Sequence, residues 1–218
     1  MSRNSTIEWT DHTFNLHLHL LTNWAEPLQW QFHARHTGER HKVFAGSMCD
    51  WAEARGDLIE PRRRLWNLIQ RTPHLDWILL TKRPENIPVM LPPDWADGWP
   101  NVWLMATVEC QDTLPRLRKL ASVPSIVRGL SMEPLLGGIT FGDDDWESGY
   151  RPDWIIVGGE TGPGARPMHP SWVRGIRDWS GAHGVAFFFK GWGGKSKCRI
   201  LDGREWNEFP SPADRSRE

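Results

Sequence analysis

Trp154-Ile155-Ile156-Val157-Gly158-Gly159-Glu160 is an apolar, β-rich run that stops abruptly at glycine and charge. The same figure recurs along the chain. Val43–Ser47 precedes Asp50, Trp77–Leu80 precedes Thr81-Lys82-Arg83, and Val102–Val108 precedes Glu109. Ile126–Ser131 precedes Glu133, and Val185–Phe189 precedes Lys190. Stretches able to form helices separate most of these runs. Strand, polar tip, helix, strand is the order of an α/β protein with a parallel sheet, whose functional groups collect at the strand carboxyl ends. The sequence therefore predicts one rim that gathers Asp50, Lys82, Arg83, Glu109, Glu133, Glu160 and Lys190.

Outward from this figure, Asp57–Arg71 reads as a helix, with Leu58, Leu65, Leu68 and Ile69 near helical spacing and Pro61 in its first turn. Pro84–Leu91 reads as a short helix limited by Pro88, and Asp112–Ala121 as a helix with Pro115 in its first turn. His169–His183 reads as a helix opened by Pro170 and closed by Gly184. Near the start, Thr6–Thr10 is a strand candidate and Leu16–Leu20 alternates at period two, while the rest of Phe14 to about Arg40 is irregular. Gly137–Pro152 is a loop with the acidic run Asp143-Asp144-Asp145, expected to be solvated. From Gly191 onward no period is visible, and Ser211–Glu218 is expected to fray. One domain over residues 1–210 is expected, with a disordered tail at 211–218. Seven strands in such a series can wrap as a partial barrel or lie as an open doubly wound sheet, and periodicity does not choose.

The chain has 218 residues, with 26 basic against 27 acidic side chains, so no global basic field draws it to nucleic acid. A local basic patch stays open. No apolar run approaches the ~20 residues of a membrane helix, and the start lacks the apolar core of a signal peptide. A cytoplasmic protein without membrane contact is expected. Cys49, Cys110 and Cys198 lie far apart without CxxC spacing, so no disulfide framework is expected. The 15 tryptophans against one tyrosine are read as core and rim packing, with base stacking by one or two as the alternative.

Each candidate has a ligand-binding and a structural reading. Gly158-Gly159-Glu160 through Arg166 can let a ligand approach the backbone and hold an anion on freed N–H groups and a forked guanidinium; otherwise it is a tight turn. It matches neither GxGxxG nor GxxxxGK[ST]. Thr81-Lys82-Arg83-Pro84 places cations at a strand tip before a helix start, as an anion site or a turn paired with Glu85. Glu109 and Glu133 can act as acid and base, hold an amine, or form ion pairs with Lys82, Arg83 or Lys190. Lys190 follows an apolar strand and is read as a buried amine, a phosphate contact, or the partner of Glu133 or Glu160. His17 and His19 share a strand face but lack a third metal ligand.

Several segments together resemble a bacteriophage and prophage gene-product family that is similar to radical S-adenosylmethionine barrels. They are Ile7-Glu8-Trp9-Thr10-Asp11-His12-Thr13-Phe14-Asn15, Leu79 to Asn86, Asn101 to Leu104, Thr107-Val108-Glu109, Glu133-Pro134-Leu135-Leu136-Gly137, Trp154 to Glu160, Gly162 to Pro170, and Phe187 to Lys190. The resemblance implies a partial parallel (β/α) barrel, TIM-barrel-like, and makes S-adenosylmethionine a candidate ligand. The chain departs where relatives carry a cysteine-rich segment ending in a form like PGCxxCYA, the ligand set for a 4Fe–4S cluster. Here Leu16-His17-Leu18-His19-Leu20 follows Asn15, no cysteine precedes Cys49, and Met132 stands where relatives often have cysteine. Without those thiolates no 4Fe–4S cluster is expected.

The expectation is thus a cluster-less barrel whose rim takes an anionic small molecule or nucleotide. Thr81, Lys82, Arg83, Gly158, Gly159, Glu160 and Arg166 would bind it. Glu109, Glu133 and Lys190 would carry any chemistry, and no metal ligands are assigned. Two alternatives stand beside it: a radical S-adenosylmethionine or other metalloenzyme, with a non-standard iron–sulfur site from Cys49, Cys110 and Cys198 or a metal site including His17 and His19, and a phage-derived protein that meets a protein or nucleic acid. Oligomeric state is left open.

Overall fold

The computed structural model describes residues 13–14, 24–45, 49–142, 149–196 and 198–210. The Thr6–Thr10, Leu16–Leu20 and Asp143–Asp145 expectations, and the tail from Ser211, lie outside them. The strands are β1 (Thr13–Phe14), β2 (His41–Ala45), β3 (Leu75–Thr81), β4 (Val102–Thr107), β5 (Val127–Met132), β6 (Trp154–Gly158) and β7 (Ala186–Gly191). They pair in parallel in sequential order. An unbroken order sends every crossover over the same side of the sheet, because parallel connections share one hand. The sheet is therefore singly wound, and β2 to β7 curl into a half-barrel; the doubly wound alternative falls.

Helices cover the convex side: α2 (Ile59–Arg71), α3 (Arg116–Ala121) and α4 (Pro170–Ala182). Their buried residues recur near helical spacing: Leu65, Trp66, Leu68 and Ile69 on α2, Leu117 and Leu120 on α3, Val173 and Ile176 on α4. They share one core with Leu75, Trp77, Leu79, Leu104, Ala106, Leu130, Ile155, Val157, Phe187 and Phe189. The alternate strand residues Ile78, Trp103, Met105, Val127, Trp154, Ile156 and Phe188 form a second core on the concave side. Among the described residues no helix is long and apolar enough to cross a membrane.

Two elements differ from the sequence reading. Glu26–Thr37, read as irregular, is a helix, α1, closed by Gly38 at φ 74°. It buries only Pro27 and Ala34 along its length, so no apolar stripe announces it. The segment after Gly191 holds a hairpin, β8 (Ile200–Leu201) with β9 (Arg204–Glu205). Its strands are too short for a period. Asp202-Gly203, both at positive φ (51° and 84°), is the turn signal that marks it. Pro84–Val89 forms a 3-10 turn rather than an α-helix, as the ring at Pro88 allows.

The tail end closes the concave floor. Asn207 pairs antiparallel with Phe188, and Phe189 donates its N–H to Trp206 O at 2.9 Å. Phe209 then lies 5.1 Å from the Trp154 ring and 5.5 Å from Phe188. Trp103 meets Trp154 edge-on at 5.8 Å, and the Lys42 amine sits 4.7 Å over Phe209. Burial pushes the Lys42 amine below the ordinary lysine range, partly offset by Asp76. Most tryptophans pack, as expected: Trp77, Trp103 and Trp154 are fully buried, and Trp51, Trp66, Trp95 and Trp99 join edge-on or tilted under α2.

Candidate functional site

Period-two alternation decides which strand-end groups share the concave mouth. Thr107 pairs with Ser131, Ser131 with Ile156, and Ile156 with Phe188, so these four lie in one concave row. Two residues further, Glu109, Glu133, Gly158 and Lys190 stand above that row. Lys82 follows Thr81, which faces the convex core beside Ala106, and so turns to the mouth. Charges thus stand above a layer of two buried hydroxyl residues, over an apolar floor.

The mouth is ion-paired. Lys190 Nζ donates to Glu133 Oε2 at 2.8 Å, although the two residues sit on strands separated by β6. Gly158 makes this possible: a Cβ there would lie 3.2 Å from the Glu133 Cδ and Cγ atoms. Lys82 Nζ donates to Glu109 Oε1. Arg116 Nη1 donates to Glu109 Oε2 at 2.7 Å and to Thr107 O at 2.8 Å. Burial alone would raise the Glu109 carboxyl, but the Lys82 hydrogen bond and charge, with Arg116, hold it below the usual carboxylate range. The segment after Glu133 is stitched to both neighbours: Leu135 donates to Gly158 O at 2.9 Å and Leu136 to Glu109 O at 2.8 Å. That stitching accounts for the Glu133-Pro134-Leu135-Leu136 motif.

The other predicted residues do not enter this mouth. Thr81 and Arg83 face the loop after β2, where Asp50 is a hub. Its carboxylate accepts from Thr81 Oγ1 at 2.6 Å, Lys82 N at 2.9 Å, Arg83 Nη1 at 2.8 Å and Ala52 N at 3.0 Å. Thr81-Lys82-Arg83 therefore clamps one loop to the next. Arg166 is held by Glu160 through both carboxylate oxygens, at 2.8 and 2.7 Å. The Arg166 side chain and backbone hold the Glu160 carboxyl down at about 2. The approach expected at Gly159 is made by the chain itself, since a Cβ there would lie 2.1 Å from Trp192 O. Gly194 N–H donates to Glu160 O at 2.6 Å, zipping the two glycine-rich loops together.

The thiols do not make a cluster site. Cys49 and Cys110 are half-buried, Cys198 is exposed, and all three are free. Burial first, then Asp50 and Glu53, push the Cys49 thiol up, the wrong direction for a thiolate ligand. Among the described residues no three His, Cys, Asp or Glu side chains are placed to hold a metal. His17 and His19 lie outside the described residues. Among the described residues the thiols do not gather as a 4Fe–4S cluster requires.

Sequence reasoning missed Arg116 and Arg199. Arg116 opens α3, and nothing in its neighbours marks it as the second partner of Glu109. Arg199 lies in the segment where no period was visible.

Fold and rim together define a (β/α) half-barrel with an ion-paired mouth at the carboxyl ends of its strands. The chain belongs to the family described as Protein of unknown function (DUF5131), whose model matches residues 17–210. No curated protein and no solved structure matches it.

Proposed function

We propose that the concave mouth binds an anionic small molecule or nucleotide, on a cluster-less half-barrel of phage or prophage type related to the radical S-adenosylmethionine barrels. The convergence of Lys82, Glu109, Glu133 and Lys190 on one concave face supports this reading. Half-exposed ion pairs contribute little to stability, so four charges gathered over an apolar floor are better explained by a ligand. Lys82 and Lys190 supply donors to the anionic group. Glu109 and Glu133 hold those amines ready and can accept from a ribose hydroxyl or an amine of the ligand. Arg83 and Arg166 serve as frame, each locked to a carboxylate outside the concave row.

Isothermal titration with adenosine triphosphate, S-adenosylmethionine and inorganic pyrophosphate tests the proposal. Binding of at least one is expected, weakened about 100-fold or more by Lys82→Gln with Lys190→Gln, since each charged hydrogen bond contributes about 1.5–3 kcal/mol. No binding of any of the three contradicts it.

A further inference from the structure

Most cations near the strand ends are held by a carboxylate: Lys82 and Arg116 by Glu109, Arg83 by Asp50 and Glu53, Arg166 by Glu160, Lys190 by Glu133. Arg199 is different. Its guanidinium carbon lies 5.2 Å from the centroid of the Phe188 ring, and Phe188 belongs to the concave core. Nη2 donates to the neutral amide oxygen of Asn207 at 2.6 Å. Nε is buried, and among the described residues no carboxylate meets the group directly; Glu205 Oε2 instead accepts from Asn207 Nδ2 at 2.9 Å. Phe188 stands two residues before Lys190 on β7, about 7 Å along the strand on the same face.

The chain is shaped to bring this arginine across the sheet edge. Gly191 adopts φ 144°, and a Cβ there would lie 3.1 Å from Cys198 O and 3.8 Å from Arg199 Cγ. Trp192 N–H donates to Cys198 O at 3.4 Å, so the 198–199 segment doubles back on the end of β7. Asn207, paired to Phe188 on the outer edge, then fixes the fork. A half-buried guanidinium stacked on an aromatic face, held by a neutral amide and met directly by no carboxylate among the described residues, is arranged to receive an anion on its outer nitrogen.

We infer that Arg199 is an anion-binding residue of the concave mouth, taking a phosphate or carboxylate oxygen of the ligand on Nη1 while Lys190 closes on the same group. This rests on the proposed function and names the side chain that recognises the anion. The receptor works without breaking an internal ion pair, whereas Lys82 and Lys190 must first share or leave their carboxylates.

The test is pyrophosphate titration of the full chain as wild type, Arg199→Gln, Arg199→Lys and the Lys82→Gln, Lys190→Gln double variant, with near-ultraviolet circular dichroism to confirm the fold. Arg199→Gln is expected to weaken binding about 10- to 100-fold. Arg199→Lys, which keeps charge but loses the fork, falls between. Wild-type binding that Arg199→Gln leaves unchanged overturns the role of Arg199 and leaves the proposed function standing. No pyrophosphate binding by the wild type removes the anion that Arg199 is said to take. Loss in Arg199→Gln with no change in the double lysine variant supports Arg199 and overturns the lysine roles.

Discussion

The floor and the mouth of the half-barrel are built from the same alternation of the same strands, yet different physics holds them. On the floor, Trp103, Met105, Trp154, Ile156 and Phe188 are almost wholly buried and meet one another and Phe209 by shape. Gly129 belongs to that fit, since a Cβ would lie 2.8 Å from Met105 Cε. Two to four residues further along the same strands the side chains carry charge and are partnered rather than packed. Packing rewards volume and tolerates no gaps. Charges at a half-exposed mouth contribute little net stability, and the proposed ligand gives them a role that packing does not.

The comparison breaks most visibly on the floor. Trp103→Ala is expected to destabilise the chain by about 3–5 kcal/mol, because it empties a closed site between Ile78 and Trp154. Urea unfolding measures it; a change under about 1 kcal/mol, the scale of a single removed methylene, would show that the floor is not a packed core. Next in size is Gly159→Ala, whose new Cβ meets Trp192 O at 2.1 Å, a backbone atom that cannot swing aside. It is expected to cost about 1–3 kcal/mol. Gly158→Ala meets only the Glu133 side chain at 3.2 Å and is expected to cost less, about 1 kcal/mol, while parting Glu133 from Lys190. If the two glycine variants melt in the opposite order, the division of labour between them is wrong.

Acid gives the smallest effect and separates the regions by charge alone. The Glu109 and Glu160 carboxyls titrate below their ordinary value of 4.5 in the folded chain, Glu160 at about 2. A depressed folded value means their stabilisation is complete above the ordinary carboxylate range and is lost as pH falls through the depressed one. Chemical shifts of the Glu160 carboxyl carbon should therefore stay those of the ionised form at pH 4. The floor, which holds no such carboxylate, should keep its near-ultraviolet signature over the same range. A Glu160 titration at the ordinary value contradicts the Arg166 clamp.

The floor and the strand ends were legible because the runs from Trp77, Val102, Trp154 and Val185 are apolar, β-rich and sharply ended. Alternation then carried Glu109, Glu133 and Lys190 to one face without further information. What stayed illegible was tertiary. Lys190 reaches Glu133 across an intervening strand, 57 positions away in sequence. Nothing local distinguishes Gly158, which leaves room for a side chain, from Gly159, which leaves room for a backbone. Thr81 and Lys82 are neighbours, yet one faces the convex core and the other the mouth, and the motif that contains both reads as one feature. α1 escaped because it buries too little to show a stripe, and Arg199 because its strands are two residues long.

The central claim is that the floor holds the fold and the mouth holds a ligand. Melting of the wild type and of the Lys82→Gln, Lys190→Gln double variant, each with and without pyrophosphate in large excess, tests it in one measurement. The expected result is a ligand-induced rise in melting temperature for the wild type that the double variant lacks, with the unliganded midpoints within about 5 °C of each other. A double variant that keeps the full ligand-induced rise, or that falls as far as Trp103→Ala without ligand, contradicts it.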